Sequence, residues 1–145
     1  MLEAAVAVDT VVKVEKRHPR AQLPVKANAS DACFDLVVVE GRRLEPGDTV
    51  ALETGLAIEL QYGWEAQVRG RSGLASRGIV VHPGTIDHLY RQTLKVLVHN
   101  LTGRPYIVQS GDRVAQLKIS RVWQVELVEG LVEATGRGGL GSTGR

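Results

Sequence analysis

Trp64-Glu65-Ala66-Gln67-Val68-Arg69 alternates apolar and polar side chains without a break. A period of two belongs to a β-strand, whose successive side chains leave on opposite faces, and strict alternation marks one dry face and one wet one. Shorter pieces of the same pattern occur at 56–60 (LAIEL), 11–14 (VVKV), 94–98 (LKVLV) and 117–119 (LKI). Turn signals separate them: Pro46-Gly47-Asp48, Tyr62-Gly63, Pro83-Gly84, Thr102-Gly103 and Ser110-Gly111-Asp112. Many short strands with frequent turns predict an all-β chain folded as a sandwich, jelly roll or barrel. No 3.6-residue period is sustained; one helical turn is expected at 72–77 (SGLASR), with Ser72 as its N-cap.

The 145 residues are enough for one domain that removes about two thirds of its unfolded surface from water. With 43% hydrophobic residues and a net charge of only +2, the chain reads as a folded globule. Its cations are scattered, as at Lys13, Lys16, Arg17, Arg42 and Arg43, so no nucleic-acid partner is expected. Cys33 stands alone, which excludes an internal disulfide, fits a reducing compartment and reads as a packed thiol. Glu3 and Asp9 interrupt the start where a secretory signal needs a basic leader and an apolar run. Nothing approaches the ~20 apolar residues of a membrane span, so no membrane partner and a cytoplasmic location are expected. Residues 1–132 are expected to form a β-barrel-like domain. The segment 133–145, EATGRGGLGSTGR, has five glycines and almost nothing to bury, and reads as a flexible tail.

Several motifs carry possible chemistry. Gly136 to Gly141 matches G-x-G-x-x-G in letters only, because that fingerprint needs a strand before it and a helix after it and neither is expected here, and Ser142 stands where a Walker loop needs Lys. What remains is a set of backbone N–H groups with Arg137, Ser142 and Thr143, able to wrap a polyphosphate. Arg71-Ser72-Gly73 follows a strand; the Ser72 hydroxyl, the first free amides and the Arg71 fork suit an anion. Asp35 opens the apolar run Leu36-Val37-Val38-Val39, and its carboxylate needs a partner: solvent, an arginine or a hydrated metal. In Val81 to Gln92, VHPGTIDHLYRQ, a Pro-Gly bend is followed by an acid and an aromatic ring. The four histidines show no zinc-ligand spacing, and no G-x-S-x-G elbow is present.

Taken in order, AxxACFDL (29–36), GRSGLA (70–75), GTIDHLYR (84–91), GDRVAQ (111–116) and RGGLGSTG (137–144) resemble the five motifs of the trimeric dUTPase family. The resemblance covers nearly the whole chain and implies a distorted jelly-roll or β-clip domain with one short helix, assembled as a homotrimer. The implied active sites are shared: motifs one, two and four come from one subunit, the third from a neighbour and the tail from the remaining one. The implied reaction is hydrolysis of dUTP to dUMP and pyrophosphate with Mg²⁺. By resemblance Asp87 activates the water and accepts a bond from the sugar 3′-OH, while Asp35 holds Mg²⁺ through water. Arg71, Ser72, Gly73 and Gln116 meet the phosphates. Gly84, Thr85 and Ile86 read the uracil edge, and Tyr90 lies against the deoxyribose. Arg137, Leu140, Gly141, Ser142 and Thr143 close over the substrate.

Some positions depart from the family pattern. Gly70 replaces a frequent Pro, Leu89 an Asp, Gln92 a Gly that follows the Tyr-Arg step, and Thr135 the leading Arg of the tail. Leu140 replaces the aromatic ring over the uracil, for which weaker closure is expected. Two rival readings are a non-catalytic nucleotide-binding or regulatory homologue and a dCTP deaminase-like enzyme. Retention of Asp35 and Asp87 speaks against the first. Leu97, standing where the deaminase needs its catalytic Glu, speaks against the second.

Overall fold

A computed structural model describes residues 7–141 and residue 144. Eleven strands and one helical turn are present among them: β1 (Lys13–Lys16), β2 (Phe34–Val37), β3 (Arg42–Leu44), β4 (Thr49–Glu53), β5 (Leu56–Glu59), β6 (Trp64–Arg69), α1 (Ser72–Ala75), β7 (Ile79–Val81), β8 (Gly84–Ile86), β9 (Lys95–Asn100), β10 (Tyr106–Val108) and β11 (Arg113–Arg121). The all-β expectation with one short helix holds.

All strand pairs are antiparallel. The largest sheet has the order β2-β11-β6-β8, a second runs β4-β9-β7, and β1-β5 and β10-β3 are two-stranded. The alternation in β6 works as read: Ala66 and Val68 are buried while Arg69 is exposed. Inward residues from these sheets form one core that includes Leu36, Leu44, Leu56, Ile58, Leu94, Val96, Val98 and Val108. Leu36 to Val39 is buried throughout, as an apolar run covered on both faces must be.

Two local expectations are corrected. The first strand is Lys13–Lys16 rather than 11–14, because pairing with β5 begins at Lys13↔Glu59; Val12 and Val14 still pack on the core. Ser72 is not the N-cap. Arg71 holds that position with extended backbone and no side-chain capping bond, and Ser72 is the first helical residue. The turn is held instead by buried Leu74 and by the Ser76 hydroxyl, which donates to the Gly73 carbonyl at 2.8 Å.

Candidate active site

Strand register builds one pocket. β11 lies between β2 and β6, so Gln116 stands opposite Asp35 on one side and opposite Arg69 on the other. Directly paired residues on antiparallel strands share a face. Beyond Arg69 the chain leaves the sheet through Gly70 and enters α1. Asp35, Arg71, Ser72, Gly73, Leu74, Arg77 and Gln116 thereby line an open pocket of about 330 Å³.

The donors of this pocket are held by their own chain. Gln116 Nε2 donates to the Gly70 carbonyl at 2.8 Å, and Arg71 Nη1 donates to the Arg113 carbonyl at 2.6 Å. Each of these side chains keeps further N–H groups for a ligand. The partner that Asp35 needs is an arginine: Arg113 Nη1 lies 3.6 Å from Asp35 Oδ2. With that carboxylate matched, Arg71 and Arg77 leave the pocket with excess positive charge, which suits an anion.

The hairpin with Asp87 occupies a different place. β8 ends the order β2-β11-β6-β8, so among the described residues one side of its backbone faces no partner strand. Alternate backbone groups along Gly84, Thr85 and Ile86 therefore point away from β6, at a sheet edge. Asp87 follows directly and is exposed, and no described residue bonds its carboxylate. The Tyr90 amide donates to the Asp87 carbonyl at 3.0 Å, and the Tyr90 hydroxyl donates to the Thr93 carbonyl at 3.0 Å, which fixes the ring. The pairing Ala66↔Ile86 sets Asp87 beside the Glu65 end of β6, six residues before Arg71. At about 3.3 Å per extended residue, Asp87 and Arg71 of one chain are on the order of 20 Å apart. Asp87 and Tyr90 do not line the pocket.

The dUTPase family model matches residues 19–144. A deoxyuridine 5'-triphosphate nucleotidohydrolase of Solibacter usitatus is 45% identical over 141 residues, covering 92% of this chain and 96% of that protein. The enzyme of the same name from Wolinella succinogenes is 44% identical, covering 92% of this chain and 94% of its own. This chain belongs to the dUTPase family.

Solved dUTPases share the fold. That of Staphylococcus bacteriophage 80alpha with dUPNHPP superposes with a TM-score of 0.84 at 25% identity, covering 94% of this chain and 99% of that one. The phage phi11 dUTPase of S. aureus, for which a structural Mg(II) ion is described, has a TM-score of 0.78 at 24% identity. It covers 83% of this chain and 97% of its own. The jelly-roll expectation is met.

Other dUTPase-motif residues fall outside the pocket. Arg137, Leu140 and Gly141 are exposed and line no part of it in the single protomer, while Ser142 and Thr143 lie outside the described residues. The departures in the hairpin are accommodated: no described non-glycine residue has a positive φ, so Gln92 sits in ordinary backbone.

Three arginines near the site were not singled out as site residues from the sequence. Arg77 lines the pocket. Arg91 Nη1 donates to the His88 and Tyr90 carbonyls, and Arg17 Nη1 donates to the Arg91 carbonyl at 2.8 Å. Together they brace the Asp87 loop. Arg17 in turn pairs with Glu15 at 2.9 Å, and this hydrogen-bonded cation holds the Glu15 carboxyl below its ordinary range. No local signal marks such residues, since a brace is defined by what the fold sets beside it.

Proposed function

We propose that this protein hydrolyses dUTP to dUMP and pyrophosphate, at sites each completed by more than one copy of the chain. The observation that carries this is the register of β2, β11 and β6, which gathers Asp35, Arg71 and Gln116 into one polar pocket. That pocket suits the triphosphate, with the Ser72 and Gly73 groups beside Arg71 and Gln116.

The reaction asks for in-line attack of water on the α-phosphorus. The water oxygen bonds to phosphorus, the bond to the bridging oxygen breaks, and pyrophosphate leaves. Asp87, whose carboxylate bonds no other described residue, takes the proton of the attacking water. Arg71 and Gln116, already oriented by their bonds to Arg113 and Gly70, meet charge as it develops on the phosphate oxygens.

The residues present fit Mg²⁺. Among the described residues no three His, Cys, Asp or Glu form a metal cage. Mg²⁺ usually takes one or two carboxylates, water and substrate phosphates instead of such a cage. Asp35, half-buried at the pocket wall, is the carboxylate that would hold it through water. When bound, the ion supplies charge that clamps the phosphate chain.

Base selection follows from the sheet edge. The backbone groups of β8 that face away from β6 offer a fixed set of donors and acceptors to a uracil edge, and cytosine would leave them mismatched. A base held closely against this backbone would leave no space for the thymine methyl. Tyr90, its ring anchored through the Thr93 carbonyl, lies against the deoxyribose and excludes a 2′-hydroxyl.

Two observations support a homotrimer with shared sites. One chain holds Asp87 and Arg71 too far apart to act on one phosphorus, so the Asp87 hairpin has to come from a neighbour. The segment after β11 leaves Trp123, Val125, Leu127, Val128, Leu131 and Val132 between 72% and 107% exposed, a run that calls for cover by another copy. The tail beyond it, with Arg137, Leu140, Gly141, Ser142 and Thr143, then closes over the site of a further neighbour.

The decisive variant is Asp87→Asn. We expect turnover to fall by about 10²–10⁴-fold, the usual worth of a positioned general base, with affinity for a non-hydrolysable dUTP analogue nearly unchanged. Turnover close to that of the parent enzyme would remove Asp87 from the mechanism.

A further inference from the structure

Resting on the reading of this pocket as the phosphate site, we propose that Arg77 is an additional ligand of the polyphosphate chain. Most arginines of the described structure are committed. Arg17 pairs with Glu15, Arg43 with Glu45 and Arg113 with Asp35, Arg69 bonds Gln67, Arg91 bonds backbone carbonyls, and Arg121 lies over the Trp64 ring. Arg71 itself spends Nη1 on the Arg113 carbonyl. The Arg77 guanidinium bonds no described residue, and of the arginines in that condition it alone lines the pocket.

Its backbone is nevertheless fixed. The Arg77 amide donates to the Leu74 carbonyl and the Gly78 amide to the Ala75 carbonyl, both at 3.0 Å. Gly78 then turns the chain at φ +84, where a Cβ would stand 2.7 Å from Thr102 Cγ2. A long side chain whose N–H groups bond no described residue thus rises from an anchored turn at the rim of an anion pocket.

Charge argues the same way. Arg113 already matches Asp35, and Arg71 is the other guanidinium lining the pocket. A triphosphate keeps negative charge even after one Mg²⁺ is bound, and a second guanidinium answers it with a planar fork suited to two phosphate oxygens.

The test uses inorganic tripolyphosphate with Mg²⁺ as probe, titrated calorimetrically into the full-length protein and its Arg77→Gln and Arg77→Lys variants. The Arg77 side chain is exposed and bonds no described residue, so both variants should keep the parent melting temperature. Loss of a hydrogen-bonded charge predicts about tenfold weaker tripolyphosphate binding in Arg77→Gln. Lys keeps the charge without the fork, so Arg77→Lys falls between the two. Inhibition of turnover by deoxyuridine, which has no phosphate, should be equal in all three. Equal tripolyphosphate affinity in parent and Arg77→Gln would overturn the assignment of Arg77 alone. If the parent itself fails to bind tripolyphosphate, the phosphate reading of the whole pocket falls with it.

Discussion

Asn100 is fully buried, and its side chain ties together three stretches of chain. Its Nδ2 donates to the Leu44 carbonyl at 3.1 Å and the Arg104 carbonyl at 2.8 Å. Its Oδ1 accepts from the Thr102 amide at 3.0 Å and the Thr102 hydroxyl at 2.7 Å. An unmade bond at a buried group costs about 1–3 kcal/mol. Asn100→Leu strands several such groups, so a loss of about 3 kcal/mol is expected from urea unfolding at fixed protein concentration. A loss below about 1 kcal/mol would mean that the loop reorganises to satisfy them. The amide network could not be read beforehand, because Asn100 in LVHNLTG looks like an ordinary turn residue until the fold buries it.

At the scale of elements, the junction of β4 and β5 sets how the site's supports meet. Gly55 turns there at φ +68, and its carbonyl accepts the Arg17 amide at 2.7 Å. A Cβ at this position would stand 2.6 Å from His18 Cβ and 3.1 Å from Ala21 Cβ. Gly55→Ala therefore combines left-handed strain with overpacking, and at least ~2 kcal/mol of destabilisation is expected by the same unfolding measurement. Arg17, which braces the Asp87 loop through the Arg91 carbonyl, lies next to His18. Relief of the clash should accordingly raise KM for dUTP along with lowering stability; a variant as stable as the parent would show that the His18 segment yields freely. Strand existence was legible from alternation in β5, β6 and β9. The end of a strand was not, as the shift from 11–14 to 13–16 shows, because a strand stops where its partner does.

For the whole molecule, the separation of Asp87 from Arg71 has a consequence that a single chain cannot show. If each site takes Asp87 from one copy and Arg71 from another, two inactive variants should repair each other. Asp87→Asn and Arg71→Ala, each nearly inactive alone, should regain activity when unfolded, mixed equally and refolded. Random assembly leaves about a quarter of the sites with both native residues, so about a quarter of parental turnover is expected. No recovery, in mixed oligomers verified by native mass spectrometry, would place both residues of a working site on one chain.

Chain order alone determined that this is an all-β protein of the dUTPase family, because side-chain period and five ordered motifs are local properties of the string. The same string named Asp35, Arg71 and Gln116 but gave no reason for them to meet. Pairing of β11 with both β2 and β6 supplies that reason, since it sets residues 35, 116 and 69 in one row. Tertiary structure also decided that Arg113 is the partner of Asp35, that Arg77 reaches the pocket, and that Asp87 stands at the far end of β6. These are relations between residues distant in sequence, and the register of antiparallel strands, a cooperative property of the whole sheet, is what creates them.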